Sequence, residues 1–143
     1  MGGTVLADAQ HLAPAVDGIR LSLHVLAAAV WVGGQVTLAG LLPSARGLGA
    51  EAPRTLARAF ARLQWPAFGV LLATGIWNVA AAGSGQPHAW QAVLGVKIGV
   101  VLLAGLAAGL HTRATSRPAI AAWGAVAALS SLAALVLGVF LAG

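Results

Sequence analysis

The sequence predicts an all-α integral membrane protein. It is read as a four-helix up-down-up-down transmembrane bundle with both termini extracytoplasmic. Three observations lead there. Of 143 residues, 59% are hydrophobic and only 8% are charged, where a soluble domain carries roughly 25% charged residues. So few polar groups cannot cover a surface in water. Four apolar runs are separated by short polar connections. The arginines collect on alternate connections.

Each run is long enough to cross a bilayer. Spans are expected at about 20–42, 60–82, 92–111 and 119–142, within a single transmembrane domain covering 1–143. At about 1.5 Å per residue, Leu21–Leu42 exceeds the roughly 30 Å hydrocarbon thickness. Pro43 and the polar stretch from Ser44 to Arg54 are expected to end the first span. The second, about Leu63–Ala82, follows Arg58 and Arg62, and Pro66 is expected to bend it. Gly83-Ser84-Gly85-Gln86-Pro87-His88 is a loop by composition. The third run, about Ala92–Leu110, contains Lys97. His111, Arg113, Arg117 and Pro118 mark the connection to the fourth, about Ile120–Ala142. Lipid requires each backbone polar group to be satisfied within its segment, which favours helices. A barrel would need polar and apolar residues in alternation, and none is seen.

Residues 1–18 are mildly polar and lack the basic n-region and cleavage site of a signal peptide, so none is expected. Arg46, Arg54, Arg58, Arg62, Arg113 and Arg117 fall on one side of a four-span chain, against Glu51 alone. The other side holds Arg20, Asp8 and Asp17, with Lys97 inside its helix. The positive-inside rule puts the arginine-rich side in the cytoplasm. Arginine outnumbers lysine seven to one, and alanine and glycine abound, as in proteins of GC-rich bacteria. The expected location is a bacterial plasma (inner) membrane.

Composition also excludes chemistry. With no cysteine there is no disulfide, thiolate metal site or cysteine nucleophile. The single methionine is Met1, so soft sulfur ligands for Cu(I) are missing from the spans. Asp8, Asp17 and Glu51 all lie outside the apolar runs, so no membrane-buried acid serves a proton relay. No phosphate-binding GxxxxGK loop is present. The net charge of +5 fits membrane orientation, and no nucleic-acid partner is expected.

The chemistry that remains centres on His24-Val25-Leu26-Ala27-Ala28-Ala29-Val30-Trp31-Val32-Gly33-Gly34. His24 and Trp31, seven residues apart, share a helical face. His24 and Lys97 each lie a few residues inside the outer end of a span, at similar depth. His11 and His88 lie outside, in the tail and the loop, with Trp77, Asn78 and Trp90 at the same end. His111 belongs to the opposite end, where a helix C-terminus favours a cation. A histidine in a helix bundle is a natural axial ligand for haem. Arg20, one turn earlier, suits a propionate. Ala27 and Ala28 leave room for a flat macrocycle, with Trp31 closing the far side. A neutral Lys97 amine is the candidate second ligand. Bland alternatives stand beside these. His24 can reach interfacial water, and Lys97 can snorkel. His11 and His88 suit solvated segments.

Packing and anchoring account for other residues. Gly95-x3-Gly99 and Gly105-x3-Gly109 permit close helix approach, inside the bundle or at a homodimer seam. Trp77, Trp90 and Trp123 suit membrane interfaces. Ser130 and Ser131 are expected to bond back to their own helix.

The motif His24, six residues, Trp31-Val32-Gly33-Gly34 resembles the first-helix signature of the copper resistance protein D (CopD) family. Phe60-Ala61-Arg62 and Thr74-Gly75 resemble that family's next helix. Val96-Lys97 and His111-Thr112-Arg113 extend the likeness over about residues 20–113. The family implies copper handling. The pattern is also similar to HemJ-type membrane haem proteins, protoporphyrinogen oxidases in which a first-helix histidine and a third-helix lysine matter. Those would be His24 and Lys97 here. HemJ-type chains carry Pro-Arg soon after the first helix, whereas Pro43 is followed by Ser44. The leading expectation is haem b near the outer face for redox or electron transfer. Cofactor-binding residues would be His24, Lys97, Arg20 and Trp31, with a haem-dependent oxidoreductase as the enzyme class and a membrane redox partner. The alternative is a copper-binding or copper-import protein using His24, His11 and His88, with Lys97 as a further donor. A third expectation is a non-catalytic membrane subunit of a larger complex.

Overall fold

A computed structural model describes residues 14–142. They form four long helices: α1 Ala15–Gly47, α2 Glu51–Ala82, α3 His88–Arg113 and α4 Arg117–Ala142. All four are long and apolar enough to cross a membrane, and no strand occurs among the described residues. The chain is a multi-pass membrane protein in that sense.

The helices start and stop for local reasons. Pro14 and Pro87 stand in extended backbone just ahead of α1 and α3, where a missing N–H costs nothing. Ser116 Oγ accepts the Ala119 N–H at the start of α4, which satisfies one orphan donor. Two glycines with positive φ turn the chain, Gly49 (φ 116°) after α1 and Gly83 (φ 74°) after α2, a region that glycine enters without a Cβ penalty. The Gln86 side chain donates to the Ala82 carbonyl at the end of α2.

Two boundaries differ from the sequence expectation. Pro43 does not end α1, which continues through it to Gly47. Proline forfeits only one helical hydrogen bond, and a helix supported along its flank by α2 tolerates that loss. The second helix begins at Glu51, nine residues before the expected span at 60, because Glu51–Ala59 is helix-forming although too polar for lipid. Pro66 likewise lies inside an unbroken α2.

Residues Ala29–Gly33 of α1 form a π-helical turn. Such a turn shifts the hydrogen-bond ladder by one residue. Gln35 Nε2 donates to the Trp31 carbonyl at 3.0 Å, giving it a partner within the turn.

α1 packs along α2, and α3 packs most extensively along α4. The two pairs meet at a small core of Trp31, Ala107, Ala108 and Ala127, flanked by Phe68, Leu71, Trp123 and Val126. Trp123, expected at an interface, packs beside this core. Trp31 is 2% exposed; its ring meets Phe68 at 4.4 Å and Trp65 at 6.0 Å between centroids. Buried positions are mostly alanine, while large residues such as Val25, Leu26, Leu102 and Phe140 face outward. That is the pattern of a lipid-embedded bundle, where small residues let backbones approach. Gly34 and Gly105 are contact points of this kind. A Cβ at 34 would lie 2.1 Å from the Phe60 ring, and one at 105 would lie 2.6 Å from the Phe68 ring. Gly95 and Gly99, by contrast, meet nothing within 4 Å.

Candidate functional site

The α1–α2 seam places His24 against Thr74. His24 Nδ1 lies 2.7 Å from Thr74 Oγ1. Thr74 is buried, and its hydroxyl lies 2.7 Å from the Val70 carbonyl one turn back on α2. A carbonyl only accepts, so the single threonine proton goes to Val70 and the oxygen accepts from His24 Nδ1–H. The imidazole is thereby set in the Nδ1–H tautomer, with its lone pair at Nε2. Nε2 has no hydrogen-bond partner among the described residues. The ring also lies over Gly75, where a Cβ would meet His24 Cε1 at 3.8 Å, an ordinary contact.

Arg20 lies one helical turn before His24. It donates to Asn78 Oδ1 across the seam and to Asp17 Oδ1 at 2.8 Å on its own helix. Its side chain is 11% exposed, and Nε is buried without a partner. Arg20 is thus first an interhelical tie, with donors left over for a further acceptor.

Lys97 approaches from the other helix pair. A Cβ at 138 would lie 2.8 Å from Lys97 Nζ, so the lysine runs along α4 into space that Gly138 leaves free. The side chain is half-buried, and among the described residues neither an acid nor a hydrogen-bond partner meets Nζ. His24 thus lies in the α1–α2 seam and Lys97 against α4, and no hydrogen bond joins the two among the described residues.

Other expected residues stand elsewhere. Trp31 is in the central core, its indole Nε1–H donating to Ser131 Oγ at 2.8 Å. Ser131 donates in turn to the Ala127 carbonyl at 2.7 Å, the expected bond back to its own helix, and also accepts from Gln35 at 3.2 Å. His88 is exposed and opens α3. His11 lies outside the described residues. His111, in the last turn of α3, donates from Nδ1 to the Ile120 carbonyl at 2.7 Å and so ties α3 to α4.

Sequence reasoning named Thr74 only within a motif and did not pair it with His24, and it did not name Gly138, the neighbour of Lys97. Thr74 is a polar residue inside an apolar run, which is a usable signal; Gly138 gives none. The donors present are one oriented imidazole with a free nitrogen, a lysine amine without a partner among the described residues, and leftover arginine N–H groups. No group of three metal-binding side chains occurs among the described residues, so a three-donor copper site is not formed by them. Two apolar surface grooves, one along Leu21, Val25 and Ala29 and one at Gly34, Leu38 and Phe60, touch neither His24 nor Lys97. Comparison with protein-family models, with curated proteins and with solved structures finds no match for this chain.

Proposed function

We propose that this protein is a CopD-like haem-binding membrane protein for electron transfer. One observation carries the proposal: Thr74 Oγ1 accepts from His24 Nδ1–H, which leaves Nε2 free. Metal-ligating histidines characteristically donate their other N–H to a neighbouring acceptor, which fixes tautomer and ring orientation. His24 would hold haem b through Nε2, with Lys97 as second ligand and Arg20 toward a propionate. Bound there, the iron supplies a reversible one-electron centre. The chain's own contribution would be to aim the imidazole, to supply an amine as a further donor and to bring a cation to the membrane surface. An unpaired intramembrane lysine is costly enough to suggest function by itself.

The up-down-up-down arrangement has support from the contacts. Arg20 meets Asn78 and His24 meets Thr74, so four residues forward on α1 is four back on α2. Phe68 meets Gly105 and Trp65 approaches Gly109, the same opposed sense for α2 and α3. Trp90 bonds to Leu141 at one end of the α3–α4 pair and His111 to Ile120 at the other. With the arginine-rich connections in the cytoplasm, both termini and the His24–Lys97 level lie toward the outer face of a bacterial plasma membrane.

The test is an absorption spectrum with metal analysis on protein purified in mild detergent. A Soret band that disappears in His24→Ala, while the melting temperature holds, is the expected result. Stoichiometric copper without haem would overturn the proposal in favour of copper handling. Neither cofactor, with a copurifying membrane protein, would favour a subunit role instead.

A further inference from the structure

The end of the bundle away from His24 carries a second feature. α2 continues 14 residues beyond Trp65 to Glu51, whereas α3 continues only four residues beyond Gly109 to Arg113. Trp65 and Gly109 stand at one level, since a Cβ at 109 would lie 4.0 Å from Trp65 Cη2. At about 1.5 Å per residue, α2 therefore overhangs the end of α3 by roughly 15 Å. Seven residues separate Arg58 from Trp65 and three separate Arg62 from it, so both arginines lie toward the helix face that looks over this step. Arg113 folds back into it, its Nη1 being 3.6 Å from the position of a Cβ at Gly109.

Three exposed cations thus border one step, and no acid answers them. Asp17 and Glu51 are the acids among the described residues; Asp17 pairs with Arg20 at the other end, and Glu51 pairs with Arg54 at 2.7 Å. The floor of the step is apolar: Trp65 is 39% exposed. Fixed cations above an apolar wall match a molecule with a phosphate at one end and hydrocarbon at the other.

We propose that this step is a binding site for an anionic phospholipid. Arg58, Arg62 and Arg113 hold the headgroup phosphate, and an acyl chain lies along Trp65. Arginine suits phosphate because its planar donors meet two oxygens at once. A soluble phosphate compound would use the cations and leave the apolar wall bare, so the lipid is the better match. The site does not depend on haem.

The test uses full-length protein in detergent, titrated with short-chain phosphatidylglycerol, short-chain phosphatidylcholine or inorganic phosphate, with bound lipid counted by native mass spectrometry. Near a charged membrane surface each arginine is worth roughly fivefold in affinity, or about a hundredfold for three. Phosphatidylglycerol should bind at least about tenfold tighter than phosphatidylcholine. The preference should vanish in Arg58→Gln/Arg62→Gln/Arg113→Gln and persist in Arg54→Gln. Should the triple variant melt below wild type in phosphatidylcholine, Arg58→Gln and Arg113→Gln singly should each lose about fivefold. Equal binding of the two lipids, wild-type preference in these variants, or equal binding of inorganic phosphate would overturn the proposal.

Discussion

Gly33 and Gly34 give a sharp test of the seam that presents His24. Both have helical backbone, near φ −62°. A Cβ at Gly33 meets nothing within 4 Å, whereas one at Gly34 would lie 2.1 Å from Phe60 Cε2 and 2.5 Å from Cζ. Comfortable carbon contacts are near 3.5 Å, so the Phe60 ring would have to retreat by about 1.4 Å. Overpacking of that kind costs about 1–3 kcal/mol. Replacing glycine by alanine in a helix returns about 1 kcal/mol at either position. Gly33→Ala should then be stabilising by up to about 1 kcal/mol, and Gly34→Ala neutral to destabilising by about 2 kcal/mol. The propensity gain is common to both, so the difference of about 1–3 kcal/mol isolates the ring contact. Equilibrium unfolding in mixed detergent micelles measures it. Removing the ring supplies the closing arm of the cycle: in a Phe60→Ala background the two alanine variants should become equally stable. Gly34→Ala as stable as Gly33→Ala in the wild-type background would refute the close α1–α2 approach at this level.

Three further outcomes follow from named contacts. Thr74→Val removes the acceptor for His24 Nδ1–H and should weaken hemin binding by about 10–100-fold in a Soret titration; an unchanged Kd would show that Thr74 does not orient the ring. Ser131→Ala leaves the buried Trp31 N–H without its acceptor and should cost about 1–3 kcal/mol in detergent unfolding. The same change in a Trp31→Phe background should cost less, and equal costs would dissociate the two residues. Gly138→Ala intrudes on Lys97 Nζ, so it should alter the spectrum of the hemin complex, while Gly95→Ala, which meets open space, should gain the same helix propensity and leave the spectrum unchanged.

How far the sequence reveals this protein depends on what kind of interaction each feature needs. The four helices follow from local hydrophobicity, because a bilayer-length apolar run in lipid has few alternatives to a helix. Their ends were harder to place, since Pro43 and the polar Glu51–Ala59 stretch read as interruptions while the helices are supported from the side by each other. The π turn at Ala29–Gly33 moves hydrogen bonds by one residue with no change in composition. In the sequence its only trace is Gln35, a lone amide near two glycines in an apolar run. Depth alone sets His24 and Lys97 at one level only on the expectation that the first and third spans enter from the same side. Thr74 could not be paired with His24 until the α1–α2 register was known: a slip of one turn would set His24 against Val70 or Asn78 instead.

The same register decides what Arg20 can do. It stands at the height of Asn78 because His24 stands at the height of Thr74, so the two contacts are a single geometric fact repeated one turn apart. A cation already shared between Asp17 and Asn78 is held still, and a held cation positions a carboxylate ligand better than a freely moving one. Its engagement is thus compatible with a propionate role, provided the buried Nε and the unused Nη protons remain available. Asn78→Ala separates the two effects. It should loosen the seam without removing charge, so an Arg20 that acts on a ligand should lose affinity in Asn78→Ala by less than in Arg20→Gln. Equal losses of hemin affinity, tracking equal losses of stability, would reduce Arg20 to a helix tie.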